Sequence, residues 1–234
     1  MTRLLLDVGN TRIKYALDRG PMAAVVHEGD VARAMAWVLG DAGAIDEIVF
    51  VDVTGAARAA LDARAARGLV ASATACGVVN GYADPVTLGA DRWAALIGAR
   101  ALVAGPVLIV DAGSALTFDV LAADGRHLGG WIAPGIGLAL AALAAGTRHA
   151  RSDRPGRPST TPATSTADAL RGGAFHAALG FIDRCRRASA GAVGSDATLV
   201  LSGGDAAALA PDVPDARRVD DLVLQGLARW ADAT

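Results

Sequence analysis

Lysine is almost absent from this sequence. Lys14 is its sole representative, although Lys and Arg together number 22 among 234 residues. A Walker phosphate loop needs Gly-Lys-Ser or Gly-Lys-Thr, and Lys14 follows Ile13, so that nucleotide-binding class is excluded. Cysteine is nearly as scarce: Cys76 and Cys185 form no CxxC pair, read as free thiols and exclude a disulfide scaffold. Aromatics make up only 4% of the chain, so the core must come from Val, Leu, Ile and Ala. The net charge of −2 lacks the basic excess of a nucleic-acid or anionic-membrane binder; Arg151, Arg154 and Arg157 form the one candidate basic patch. No uncharged run reaches the roughly 18 apolar residues of a membrane span. The apolar stretch before Asp7 is too short for a signal peptide, so a cytoplasmic protein with no membrane partner is expected. His27, His127, His149 and His176 show no metal-ligand spacing and read as surface or loop residues. A serine-hydrolase elbow, G-x-S-x-G, is missing too.

What is present repeats. The run Arg3-Leu-Leu-Leu-Asp7-Val8-Gly9-Asn10-Thr11 continues as Arg12-Ile13-Lys14-Tyr-Ala-Leu17, and Met22–Val26 follows. An apolar run, a glycine turn and an alternating run predict a hairpin backed by a third strand. Helical spacing over Val31–Leu39, a strand over Ile45–Val53 and helical spacing over Thr54–Arg67 come next. The second half opens the same way: Pro106-Val-Leu-Ile-Val-Asp111-Ala-Gly113-Ser114-Ala115, then Leu116–Leu121, the turn residues Asp124-Gly125, and His127–Ile132. Helices over Pro134–Ala145 and Thr166–Ser189, a strand over Thr198–Leu201 and a helix over Asp220–Ala231 complete it. Between the halves, Ala90–Ala104 has helical spacing broken only by Gly98. The segment 151–165, rich in Pro, Ser, Thr and Arg, reads as a loop that is mobile or orders on binding. Strands preceding helices in both halves predict two α/β domains, 1–103 and 104–234.

Paired Asp-x-Gly turns suit phosphate chemistry. A glycine lets backbone approach a polyphosphate, the turn's N–H groups form an anion-binding concavity, and the strand-end Asp serves as cation ligand. One such turn is equally an ordinary hairpin; two at equivalent places point to a clamp around ATP. Gly135-Ile-Gly137 lacks the third glycine of a dinucleotide fingerprint. Gly129-Gly130 and Gly203-Gly204 sit where strands lead into helices, and each is either a tight turn or a platform for base or ribose. Asp91-Arg92 begins a helix after Gly89. The pair is either a helix-start acid with a solvated arginine, or a carboxylate base with a cation for an anionic substrate.

The order of these motifs resembles type III pantothenate kinase, a family of the actin, hexokinase and Hsp70 superfamily that includes the Bvg accessory factors. The resemblance runs from Leu4 to Trp230 and is most specific at Gly81-Tyr82…Pro85…Leu88-Gly89-Ala90-Asp91-Arg92. Gly129-Gly-Trp-Ile-Ala-Pro-Gly135, Thr166…Ala169-Leu170…Gly172 and Ser202-Gly-Gly204 fit as well. Ser114 and Ser202 stand where threonine is common, which keeps the hydroxyl. The resemblance implies two actin-like (ribonuclease H-like) domains related by duplication, and transfer of a phosphoryl group from ATP to pantothenate at the start of coenzyme A synthesis. It implies that Asp7, Val8, Gly9, Asn10, Thr11, Arg12, Ile13 and Lys14 hold ATP phosphates, with Asp7 near Mg²⁺, and that Ser114 touches ATP. Tyr82, Gly89, Ala90, Asp91, Arg92 and Thr166 would bind pantothenate, Asp91 as the base. Asp111 would bind a monovalent cation, K⁺ or NH₄⁺, and the family's site is composite in a homodimer. Another small-molecule kinase of the same fold, or a non-catalytic ATP-binding regulator, is the alternative.

Overall fold

The computed structural model describes residues 2–18, 20–61, 66–147 and 161–234. In chain order the elements are β1 (Arg3–Val8), β2 (Arg12–Leu17), β3 (Ala23–Val26), α1 (Val31–Asp41), β4 (Glu47–Asp52), α2 (Ala56–Leu61) and β5 (Ala66–Gly68). Then come β6 (Thr74–Ala75), β7 (Val78–Val79), α3 (Ala90–Leu102), β8 (Val107–Ala112), β9 (Ala115–Leu121), β10 (His127–Pro134) and α4 (Ile136–Gly146). Last are α5 (Thr166–Val193), β11 (Thr198–Ser202), α6 (Ala206–Leu209), β12 (Arg217–Arg218) and α7 (Leu222–Ala233). They divide into two units. The first holds Met1–Gly105, Leu121–Gly129 and Asp221–Thr234; the second holds Pro106–Val120 and Gly130–Asp220.

In the first unit the sheet order is β3-β2-β1-β4-β5, with β1–β2 and β2–β3 antiparallel and β1–β4 and β4–β5 parallel. Alternate side chains of β1 face opposite ways. Leu4, Leu6 and Val8 join Val31, Met35 and Val38 of α1 and Ala57 and Leu61 of α2 in one core. Each of these larger aliphatic side chains contributes about 1.5–3 kcal/mol on burial. Asp30 caps α1 by accepting from Arg33 N at 2.9 Å, and Asp52 caps α2 through its carboxylate, which accepts from Thr54 N at 2.8 Å and Ala57 N at 2.9 Å. Helices α3 and α7 pack on each other and against β4. Their backbones touch: a Cβ at Gly226 would lie 1.8 Å from Ala94 O, and one at Gly98 2.5 Å from Leu222 O. The lone glycine in the helical spacing of α3 is thus a crossing point.

The second unit repeats the order as β10-β9-β8-β11-β12, with β8–β11 and β11–β12 parallel. Its core joins Leu108, Val110, Leu116, Phe118 and Leu199 of the sheet to Phe175, Ala178, Ile182 and Cys185 of α5. Ser165 caps α5, accepting from Asp168 N at 3.2 Å.

The helix expected over Thr54–Arg67 is shorter. Among the described residues it ends at Leu61, and Ala66 and Arg67 belong to β5. Phe50 explains this: its carbonyl accepts from Leu69 N at 2.8 Å, and its ring packs so closely on Gly68 that a Cβ there would lie 2.9 Å away. The unpaired edge of β4 therefore recruits the segment as a strand, against its helical propensity. Up to residue 160, the arginine-rich loop expected over 151–165 lies outside the described residues.

Candidate active site

In the first unit the β1–β2 turn closes with Gly9 N donating to Arg12 O at 3.1 Å. Asp7 and Lys14 are cross-strand partners, and Lys14 Nζ stands 3.7 Å from Asp7 Oδ2 with Asp7 only 7% exposed. Val8 and Ile13 are fully buried, so at those positions only backbone can meet a ligand; Asn10, Thr11 and Arg12 are exposed. One residue that the sequence left as an ordinary loop histidine sits at this turn. His27 is 3% exposed, its Nε2 lies 2.9 Å from Gly9 O, and its backbone N donates to Thr11 O at 3.2 Å. Isolated in sequence, His27 carries no spacing signal that would have found it.

A second cluster forms around Tyr82. The Asn80 side chain ties the segment down: Nδ2 donates to Ser72 O at 3.2 Å and Pro85 O at 3.1 Å, and Oδ1 accepts from Tyr82 N at 3.0 Å. Tyr82 stacks on His127 with ring centroids 5.8 Å apart and planes 17° apart. Gly81 permits this, because a Cβ there would lie 1.9 Å from His127 O. Arg92 is buried, and its Nη1 donates to Tyr82 Oη at 2.8 Å while its guanidinium carbon sits 5.6 Å from the ring centroid. Burying a guanidinium costs several kcal/mol unless it is well paired, so Arg92 is no solvated surface arginine. Asp91 occupies the first turn of α3, with Oδ1 accepting from Arg92 N at 2.8 Å. Gly89, the residue preceding α3, leaves room for that carboxylate: its added Cβ would fall 2.7 Å from Asp91 Oδ1. The N-terminal end of α3 carries partial positive charge, which favours the ionised carboxylate. Asp91, Arg92, Tyr82 and Gly89 are thus brought together.

In the second unit the β8–β9 turn mirrors the first, with Gly113 N donating to Ala115 O at 3.1 Å. Asp111, the penultimate residue of β8, is partly exposed, and Ser114 is exposed at the turn. Two glycine motifs converge here. Gly135 N donates to Ser114 O at 3.0 Å, and a Cβ on Gly135 would lie 2.2 Å from Gly113 O. Gly203, at φ 98°, is so close to Ala112 that a Cβ would fall 2.5 Å from its carbonyl carbon, while Asp205 N donates to Ala112 O at 2.9 Å. Ser202 pairs in register with Asp111 and its Oγ is buried with no hydrogen-bond partner among the described residues. Thr166 stands exposed at the start of α5.

Among the described residues no three His, Cys, Asp or Glu side chains gather to hold a metal. That is compatible with Mg²⁺, which keeps waters and phosphate oxygens and takes only one or two carboxylates; single aspartates at the two turns suit it and a monovalent ion.

A profile of the type III pantothenate kinase family matches residues 3–188. Type III pantothenate kinase of Aromatoleum aromaticum is 44% identical over 96% of this chain and 96% of its own length. That of Laribacter hongkongensis is 40% identical, covering 97% and 98%. Among solved structures, a Baf family protein from Campylobacter jejuni superposes with a TM-score of 0.68 at 21% identity, covering 98% of each chain. An archaeal actin homologue does so at 0.55 and 12%, over 100% of this chain and 98% of its own. The structural likenesses give the fold, that of the actin-like ATPases and sugar kinases; the sequence matches give the family. This chain belongs to the type III pantothenate kinases.

Proposed function

We propose that this chain transfers the γ-phosphoryl group of ATP to the primary hydroxyl of pantothenate, opening coenzyme A synthesis, as a cytoplasmic homodimer. The observation that carries the reading is the Asp91–Arg92–Tyr82 cluster. A carboxylate at a helix start beside a buried guanidinium and an aromatic wall suits an acidic substrate bearing a hydroxyl nucleophile. Asp91 orients that hydroxyl and takes its proton as the phosphoryl group moves. Arg92 meets the substrate's charge, and Tyr82, held by His127 and Asn80, forms the wall. Gly89 and Ala90 offer backbone beside it, and Thr166 reaches the same substrate across the dimer.

Asp7 to Lys14 cradle the phosphates. Val8 and Ile13 contribute backbone only, Gly9 lets the chain come close, and Asn10, Thr11, Arg12 and Lys14 bring polar groups. Asp7 would hold Mg²⁺ and Asp111 a monovalent cation, K⁺ or NH₄⁺, with Ser114 touching the nucleotide; the ions supply charge neutralisation on a polyphosphate whose transition state is loose. The repeated strand order and the repeated Asp-x-Gly turn support duplication, with copies at 1–103 and 104–234. For the homodimer the support is α4: its eleven residues, IGLALAALAAG, include none that is buried, and Leu138 is 52% exposed. No helix among the described residues is long and apolar enough to cross a membrane.

The test is ADP release and phosphopantothenate formation by purified protein with ATP, Mg²⁺ and K⁺, NH₄⁺ or Na⁺. Product that requires pantothenate, made faster in K⁺ or NH₄⁺ than in Na⁺ at equal ionic strength, is expected. ADP release indifferent to pantothenate would overturn the assignment.

A further inference from the structure

We propose that His27 is a positioning residue for the phosphate-binding turn, acting as a neutral imidazole that holds the Gly9–Asn10 peptide in its ligand-facing orientation. The proposal rests on the reading that the Asp7–Lys14 segment holds ATP phosphates.

The ring's protonation follows from its two partners. Gly29 N donates to His27 Nδ1 at 3.1 Å, so Nδ1 must present a lone pair. The neutral ring then carries its proton on Nε2, and Nε2 donates to Gly9 O at 2.9 Å. An imidazolium cannot make both contacts. Because a trans peptide is planar, with C=O and N–H on opposite sides, pinning Gly9 O toward the histidine turns Asn10 N–H away from it. The backbone bond from His27 N to Thr11 O holds the next carbonyl but one in the same way. One residue therefore grips both sides of the turn's tip, where an oxyanion would gather N–H groups.

The chain goes to some trouble to aim this ring. His27 to Asp30 form a tight turn closed by Asp30 N donating to His27 O at 2.7 Å. Both central residues are left-handed: Glu28 at φ 48° and Gly29 at φ 90°. Left-handed geometry is unfavourable for a residue such as Glu28, and such outliers gather where geometry serves a site. The same turn delivers Asp30 to the start of α1, whose N-cap it forms. The clamp is therefore continuous with a helix packed in the core rather than with a free loop.

Three variants and a spectrum test this. In His27→Asn the shorter side chain keeps an acceptor near the Nδ1 position but has no donor that reaches Gly9. In His27→Gln an N–H is restored at the Nε2 position. Asn10→Gly probes the turn itself. Expected are a rise in KM for ATP of about tenfold in His27→Asn, the size of one lost hydrogen bond, with the KM for pantothenate and kcat within about threefold of the parent. His27→Gln should recover most of the ATP affinity. Long-range ¹H–¹⁵N correlation spectra of histidine-labelled protein should assign His27 the Nε2–H tautomer. Four results overturn the proposal: an Nδ1–H tautomer, an unchanged KM for ATP in His27→Asn, equal losses in the Asn and Gln variants, or a fall in melting temperature with no change in KM. If Asn10→Gly and His27→Asn both leave the KM for ATP at the parent value, the phosphate assignment itself has failed. If Asn10→Gly raises it and His27→Asn does not, only the role of His27 falls.

Discussion

The two Asp-x-Gly turns have the same local hydrogen bond, Gly N to the carbonyl of the residue opening the next strand, yet they are braced by opposite means. Side chains hold the first: Lys14 reaches Asp7, and His27 grips Gly9. Backbone holds the second, with Gly135 and Gly203 pressed so close to Gly113 and Ala112 that neither could carry a side chain undisturbed. A side-chain brace is adjustable by mutation and by ligand, whereas a backbone brace is all or nothing. The two turns thus share a strand order and differ in how far each can yield.

The largest effect is expected at Asp91, the proposed base, in the first unit. Asp91→Asn removes a proton acceptor and keeps shape, so kcat should fall by about 10²–10⁴-fold, nearer the lower end because a loose transition state needs little early activation. The KM for ATP and the melting temperature should hardly move. A kcat within about threefold of the parent, measured on the same preparation as its melting temperature, would remove Asp91 from the reaction.

Next comes a direct contrast of the braces. Gly135→Ala puts a Cβ 2.2 Å from a backbone oxygen, whereas in Gly9→Ala the nearest atom is Arg12 O at an ordinary 3.4 Å. The first should cost roughly 1–3 kcal/mol of stability and the second less than about 0.5 kcal/mol, by urea unfolding. On the proposed phosphate role of this turn, Gly9→Ala should nonetheless raise the KM for ATP, because a Cβ would limit close approach of the backbone. Equal stability losses in the two variants would mean that the two turns are braced alike.

The units also differ in their helices. Residues 92–99 of α3 are all buried, and none of α4 is. Leu138→Glu combined with Leu143→Glu should therefore leave the melting curve of dilute protein little changed while shifting sedimentation from dimer to monomer and abolishing activity. A dimer that survives both charges would place the interface elsewhere.

Smallest is Ser202→Ala. Its hydroxyl is buried without a partner among the described residues, so removing it should leave stability within about 0.5 kcal/mol of the parent or raise it slightly. A loss above about 1.5 kcal/mol would mean that the hydroxyl is satisfied after all.

Much of this was legible in the sequence. The paired hairpins showed because Asp-x-Gly breaks two apolar runs at matching places, and Asp91-Arg92 stood out because charge follows Gly89 at the head of a helical run. What stayed hidden depends on contacts between distant residues. Nothing near Ala66 announces a strand, since the signal lies in Phe50. Gly98 looked like a flaw in a helix until Gly226 lay against it. His27 and His127 are lone histidines whose meaning is supplied by Gly9 and Tyr82, and no periodicity encodes such a partner. Of the glycine pairs, Gly203-Gly204 does supply a close contact at the second turn, but the other comes from Gly135, at the head of α4, rather than from Gly129, which has nothing within 4 Å.

The crossing of α3 and α7 carries a consequence for how the protein is made. On the ribosome, β1 to α3 emerge early, but the helix that covers α3 is translated after the whole second unit. At roughly 5–20 residues per second, the bare face of α3 waits for seconds with Ala94 and Gly98 uncovered. The N-terminal unit therefore cannot finish packing before the second unit has been translated. The first unit completes its packing only when α7 arrives, last of all its elements.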